Sequence, residues 1–240
     1  MKFIVCENYE EMSKKAAEIM ADVIKNKPDC VLGLATGSTP TGTYQELIKM
    51  NKSGEISFNN VVSYNLDEYY PISPDNDQSY RYFMNDNLFN HIDIKMENTH
   101  VLNGEAEDAD AECRAYDEAI KNAGGIDIQI LGIGRNGHIA FNEPAEALIA
   151  PTHKTGLTED TIDANSRFFE SADLVPRHSL TMGMASIFGA KKIILLANGA
   201  SKKEAIKDLL SDEIKTSNPA TLLKLHHDVT ILCDKEAYGE

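Results

Sequence analysis

Side chains able to do chemistry crowd into a few short segments of this 240-residue chain. Thr36-Gly37-Ser38-Thr39-Pro40-Thr41-Gly42-Thr43 joins hydroxyls and glycines to the start of a helix. Backbone N–H groups and a helix dipole aimed at one point make a cradle for phosphate. No Gly-Lys-Ser/Thr follows, so this is not the mononucleotide loop. A hydroxyl-rich turn that only caps a helix is the competing reading. Asn65-Leu66-Asp67-Glu68 ends an apolar run. Adjacent carboxylates in an extended chain face different ways, so one can enter a pocket as a general base while the other looks elsewhere. A solvated acidic turn is the alternative.

Gly132-Ile133-Gly134-Arg135-Asn136-Gly137 carries the letters of a dinucleotide fingerprint. That fingerprint requires a helix to begin inside it. His138-Ile139-Ala140-Phe141-Asn142-Glu143-Pro144 has no helical period, so the match is a decoy and NAD is not expected. The segment reads instead as a glycine-rich loop presenting Asn136, His138, Asn142 and Glu143. His138 and Glu143 can form an acid/base pair in which the carboxylate orients the imidazole. Asn165-Ser166-Arg167 and Gly199-Ala200-Ser201-Lys202 add cations and donors. Lys202 stands at a helix start, where the dipole repels a cation, so an anion bound there explains its placement. His226-His227-Asp228 suggests a metal. Neighbouring residues of a strand point to opposite faces, so no metal site is expected.

These segments need a scaffold, and hydrophobic periodicity supplies one. Asn8 and Glu11 read as a capping box ahead of a helix through Ile24. Thr39 as N-cap with Pro40 at N1 opens a second helix. Further helices are expected over 79–90, 108–123, 158–164, 181–188 and 201–210. Strands are expected over 30–35, 61–66, 101–102, 126–133, 192–197 and 229–233. Strands apolar throughout and separated by amphipathic helices mean a mostly parallel sheet covered on both faces, an α/β three-layer fold. Segments 36–43, 67–78, 134–147 and 198–202 all follow strand ends, where ligands of such sheets bind.

Composition narrows the partners. Lys plus Arg is 23 and Asp plus Glu is 38, a formal net charge of −15. A nucleic-acid surface needs clustered bases, so none is expected, and an anionic small molecule remains open because a pocket's local field can oppose the net charge. No apolar run reaches the ~18–20 residues of a membrane span. Met1 to Glu7 does not read as a signal peptide. Cys6, Cys30, Cys113 and Cys233 are far apart, without Cys-x-x-Cys, and read as buried thiols of a reducing cytoplasm.

Taken together, Leu34 to Pro40, Asn65 to Tyr69, Gly132 to Pro144 and Asn165 to Phe169 resemble the glucosamine-6-phosphate deaminases, in order and over nearly the whole chain. The stretch Gly137 to Pro144 is the most specific part. The phosphate loop is shared with the 6-phosphogluconolactonases. The resemblance implies a single domain over 1–240 with a modified Rossmann-like sheet, no nucleotide and no cofactor. It implies an aldose–ketose isomerisation with loss of ammonia, yielding fructose 6-phosphate. Asp67 matches the base that moves the C2 proton to C1, His138 the ring-opening residue, and Glu143 its carboxylate partner. Asn136 stands where some members have Asp, and is expected to orient only. Gly37, Ser38, Thr39, Arg167 and Lys202 match the phosphate ligands. The segment Pro151 to Gly156 departs from the basic effector-binding segment of the longer, hexameric members. A monomer or small homo-oligomer without that allostery is therefore expected. A lactone hydrolase of the same scaffold and a non-catalytic sugar-phosphate sensor are the rival readings.

Overall fold

A computed structural model describes residues 1–158, Ile162 and 175–240. Its main sheet is built from β1 (Lys2–Cys6), β2 (Val31–Leu34), β3 (Val62–Asn65), β5 (Thr99–His100), β6 (Ile128–Gly132), β9 (Lys192–Ala197) and β10 (Val229–Asp234). All of its pairings are parallel, in the order β1-β10-β9-β6-β2-β3-β5. The strand interiors are apolar because helices cover both faces. Ile128, Ile130, Ile193, Ile194, Leu195 and Ile231 are all fully buried. The expected α/β architecture is therefore the one observed.

Helix α1 (Tyr9–Asn26) is capped by Asn8, whose Oδ1 accepts from Glu11 N at 2.9 Å. The expected reciprocal bond shifts by one residue, since Glu11 reaches the N–H of Glu7. Helix α2 (Ser38–Lys52) begins one residue before Thr39. Gly37, at φ +94°, turns the chain so tightly that it is the N-cap itself, and Pro40 is the third helical residue. Helices α3 (Tyr80–Asn87) and α4 (Ala109–Asn122) are capped by Ser79 and Asp108. The strand expected over 101–102 forms at 99–100, where Ser63 and Tyr64 of β3 offer partners. The helix expected over 181–188 is α5 (Met184–Phe188) only. Gly183 precedes it, and a Cβ there would lie 2.0 Å from the Pro151 carbonyl oxygen. The helix expected over 201–210 opens with a tight 3₁₀ turn, Ala200–Lys202, and continues as α6 (Lys203–Leu210). Helix α7 (Lys235–Tyr238) closes the chain under an Asp234 cap. Beyond Thr158, the helix expected over 158–164 lies outside the described residues apart from Ile162.

A second sheet carries no hydrophobic signature. Antiparallel β4 (Asp67–Tyr70), β8 (His178–Thr181) and β7 (His153–Gly156) form a three-stranded ribbon. It continues directly from β3 through Leu66, whose N–H bonds Leu34 O and whose carbonyl accepts from Met182. Tyr69, Ile72 and Phe141 make a small apolar cluster beneath it, with Tyr80 and Leu157 packed against them.

Candidate functional site

Strands β9, β6, β2 and β3 are consecutive neighbours in the sheet. The loops leaving their carboxyl ends are the four strand-end segments 36–43, 67–78, 134–147 and 198–202. The fold thus sets them side by side along one edge of the molecule, where open α/β sheets bind ligands.

Asp67 is the first residue of β4 and is only 7 % exposed. It pairs with Thr181 of β8. The Thr181 hydroxyl in turn accepts the N–H of Phe141 at 3.1 Å, while Asn142 donates its amide to Met182 O and to Ile139 O. These bonds pin the His138–Glu143 loop against the strand that holds Asp67. Burial, and then the charge of Glu68, push the Asp67 carboxyl up to about 8. Tyr44 also lies within electrostatic reach of this carboxylate; its hydroxyl donates to Ala35 O.

Glu68, its neighbour, does a different job. Its carboxylate accepts the N–H groups of Tyr69, Tyr80 and Arg81 at 2.8, 2.8 and 2.9 Å. Two of those donors open α3, so Glu68 clamps a helix N-terminus, where negative charge is favoured. Burial raises its carboxyl to about 7, against the lowering effect of the three N–H bonds. The adjacent carboxylates therefore divide: Glu68 is committed to holding a helix start, while Asp67 is a buried acid on the strand paired with Thr181.

His138 sits in a loop shaped by glycine. Gly134 N bonds His138 O, and a Cβ at Gly134 would lie 2.3 Å from His138 Nδ1. Gly137 adopts φ +84° and Ala140 φ +51°, so the turn is tight on both sides of the imidazole. His138 Nδ1 lies 2.8 Å from Asn136 Oδ1 and 3.3 Å from Glu143 Oε1. Asn136 Nδ2 donates to Glu143 Oε2 at 2.7 Å, which turns its oxygen toward the ring. With acceptors at Nδ1, the ring proton belongs there, and Nε2 presents its lone pair to a ligand. Asn136, expected to orient only, bridges the imidazole and the carboxylate.

The hydroxyl-rich loop after β2 is latched rather than loose. Thr39 Oγ1 donates to Asn198 Oδ1 at 2.8 Å, tying the β2 loop to the β9 loop. Gly37 and Ser38 are exposed at the mouth of α2. The next loop is fixed by Asp234, which accepts Gly199 N. Lys202 is half-buried at the start of α6, and its ammonium pKa is lowered by burial and then by Arg135. Arg167 lies outside the described residues. Sequence reasoning does not reach Asn198 or Thr181. Asn198 carries a usable signal, a polar side chain directly after an apolar strand, whereas Thr181 carries none.

His226 and His227 lie before β10, not in a strand, and their rings lie 4.5 Å apart at a tilt of 33°, so the opposite-face argument does not apply to them. Both nitrogens of His226 are nonetheless engaged, Nε2 with Ala190 O and Nδ1 with Asp228 N.

The fold and this edge define an α/β protein with a buried carboxylate, a histidine oriented by Asn136 and Glu143, and a hydroxyl-rich helix start, all at the carboxyl ends of neighbouring strands. A family model described as glucosamine-6-phosphate isomerases/6-phosphogluconolactonase matches residues 7–232, and the chain belongs to that family. It is 62 % identical over 237 residues to the glucosamine-6-phosphate deaminase of Thermoanaerobacter sp. strain X514, covering 99 % of this chain and 94 % of that one. It is 56 % identical to the glucosamine-6-phosphate deaminase of Clostridium perfringens strain 13, covering 99 % and 98 %. A solved structure described as a monomeric glucosamine-6-phosphate deaminase superposes with a TM-score of 0.97 at 50 % identity, covering 99 % of both chains. A 6-phosphogluconolactonase from Thermotoga maritima shares the fold, with a TM-score of 0.76 at 20 % identity over 98 % of this chain and 99 % of that one.

Proposed function

We propose that this chain is an enzyme that converts glucosamine 6-phosphate and water into fructose 6-phosphate and ammonia. The observation that carries this reading is the buried Asp67, held through Thr181 against the loop that presents His138. His138 Nε2 takes the proton of the anomeric hydroxyl and delivers it to the ring oxygen, opening the sugar. Asn136 and Glu143 hold the imidazole and stabilise the positive charge it carries in between. Asp67 then removes the C2 proton and returns it to C1. The open-chain carbonyl is the electron sink, so the step demands no cofactor. The imine that results at C2 adds water and releases ammonia, so the isomerisation ends in a hydrolysis.

Burial keeps Asp67 protonated in the empty cleft at neutral pH, with its carboxyl at about 8. The ammonium that the amino sugar brings to C2 lowers that value and draws out the carboxylate where the base is needed. The phosphate, near a dianion at pH 7, is assigned to Gly37, Ser38, Thr39, Arg167 and Lys202, whose remote binding energy orients the reacting carbons.

The reading extends to a single domain over 1–240, supported by one hydrophobic cluster that runs from Cys6 to Ala237. A cytoplasmic setting fits four free, buried cysteines. A monomer or small homo-oligomer without an effector site fits the segment 151–156, where Lys154 lies over the Tyr70 ring at 4.6 Å. Among the described residues no helix is long and apolar enough to cross a membrane.

A lactone hydrolase is the rival favoured by the shared phosphate loop and loop histidine. It has no use for a carbon base, and leaves the buried Asp67 unexplained. Incubation with glucosamine 6-phosphate should yield ammonia and fructose 6-phosphate in equal amounts. Hydrolysis of 6-phosphogluconolactone with no ammonia from the amino sugar would replace the proposal with the rival. Binding without turnover would leave a sensor.

A further inference from the structure

Among the described residues, two cations on neighbouring loops, Lys202 and Arg135, act on each other and neither is paired with an acid. Lys202 is half-buried yet makes no ion pair or side-chain hydrogen bond with any described residue, and the same holds for exposed Arg135. Acids are not scarce, since 38 carboxylates face 23 bases. Elsewhere Lys15, Lys27, Lys191, Lys192 and Lys235 all end on carboxylates.

The sheet brings the two residues together. They lie on the loops after β6 and β9, adjacent parallel strands whose last residues pair, Gly132 with Leu196. The segment around Asn218 then clamps both loops. Ala220 N donates to Gly137 O in the first, and Asn218 Nδ2 donates to Ala205 O in the helix that follows the second. A Cβ at Gly137 would lie 2.0 Å from Asn218 Oδ1, so the clamp closes tightly. Arg135 is also the charge that acts most on Lys202, and it opposes protonation. Like charges held this way gain nothing in the empty protein, and a bound dianion reverses the sign of the interaction.

We propose that Arg135 is a phosphate-binding residue that grips the substrate's phosphate together with Lys202 from the neighbouring loop. The proposal rests on the sugar-phosphate reading of the site. The guanidinium offers two parallel donors to two phosphate oxygens, and the ammonium adds a point charge. The loop that presents His138 thereby also senses the anchored end of the substrate.

The test uses the full chain with Arg135→Gln and Arg135→Lys. Losing one charged hydrogen-bonding group from the phosphate should raise KM for glucosamine 6-phosphate about ten- to a hundredfold. Competitive inhibition by inorganic phosphate should weaken by a similar factor, and kcat should fall far less than KM rises. Arg135→Lys should recover part of both losses. Unchanged phosphate inhibition, or a fall in kcat with KM unaltered, overturns the proposal and assigns Arg135 to the loop instead. A thermal melt of each variant checks that the loop still folds. If the wild-type chain releases no ammonia, calorimetric titration with inorganic phosphate still decides. Weaker binding to Arg135→Gln supports the assignment, and equal binding refutes it whatever the reaction.

Discussion

Asp67→Asn separates the chemistry of the buried carboxyl from its cost to the fold. In the unfolded chain this group loses its proton near the ordinary value of 3.8; in the folded protein it holds the proton until about 8. The native state therefore binds the proton more tightly. Its contribution to stability is complete below pH 3.8, declines as pH rises, and is lost once pH passes 8. Between those limits each pH unit is worth about 1.4 kcal/mol. The amide that Asp67→Asn introduces does not titrate, so the variant's melting temperature relative to wild type should climb with pH. Between pH 5 and pH 7 the difference should grow by about 3 kcal/mol, roughly 6–12 °C in a chain of this size. Glu68 titrates in both proteins and largely cancels in the comparison. Above pH 8 the difference should be flat. Differential scanning calorimetry from pH 5 to pH 9 measures it. The same variant should lose exchange of the substrate's C2 proton with solvent and still be inhibited by inorganic phosphate. A difference that does not change with pH, or that runs the other way, would falsify the burial argument. Exchange at the normal rate would move the base to another residue.

Two other substitutions test the supports of the site. Glu68→Ala strands the N–H groups of Tyr69, Tyr80 and Arg81, and should cost about 3–9 kcal/mol at roughly 1–3 kcal/mol for each of the three groups; a denaturant midpoint that does not move would show the clamp to be dispensable. Gly134→Ala drives a methyl group into the imidazole, so kcat should drop by two orders of magnitude or more, as expected when a proton-transfer group is misplaced, while phosphate inhibition stays near wild type; a normal kcat would mean that the His138 ring is not held against Gly134.

The main sheet was legible because its signal is local. Runs such as Lys192–Ala197 and Val229–Asp234 are apolar at nearly every interior position, and only a strand covered on both faces requires that. The α1 and α4 starts were legible for the same reason, since Asn8 and Asp108 cap within three residues of themselves. The second sheet was not. Asp67–Tyr70, His153–Gly156 and His178–Thr181 are polar strands, and the first finds its partner far along the chain, Asp67 opposite Thr181. Nothing in their own composition asks for a sheet. Thr39 shows a subtler limit. Its type suggested a cap, but Gly37 turns the chain earlier, and the freed hydroxyl serves as a bridge to Asn198, 159 residues away. The roles of His138, Asn136 and Glu143 relative to one another lie within one short loop and could be read as a group, whereas Thr181, which joins that group to Asp67, could not.

That difference bears on how the cleft works. A carboxylate at the end of a parallel strand would ordinarily be wet, because strand ends open to solvent. Here β3 does not stop at Asn65. The chain passes through Leu66 into the antiparallel ribbon, where Asp67 pairs with Thr181 and is only 7 % exposed. The ribbon therefore does two things with one set of bonds. It buries the carboxyl, which raises its pKa, and it fixes the imidazole loop through the Thr181 hydroxyl. Glu68 adds to the first effect, since its charge is held in place by three N–H groups and cannot move away from its neighbour. On the proposed function, the substrate's own ammonium lowers the Asp67 pKa and so generates the base. A neutral analogue lacking the amine should bind through its phosphate and leave Asp67 protonated. The same polar ribbon that hides from a hydropathy reading is thus what buries the acidic strand end and raises its pKa, the property on which the proposed substrate-switched base depends.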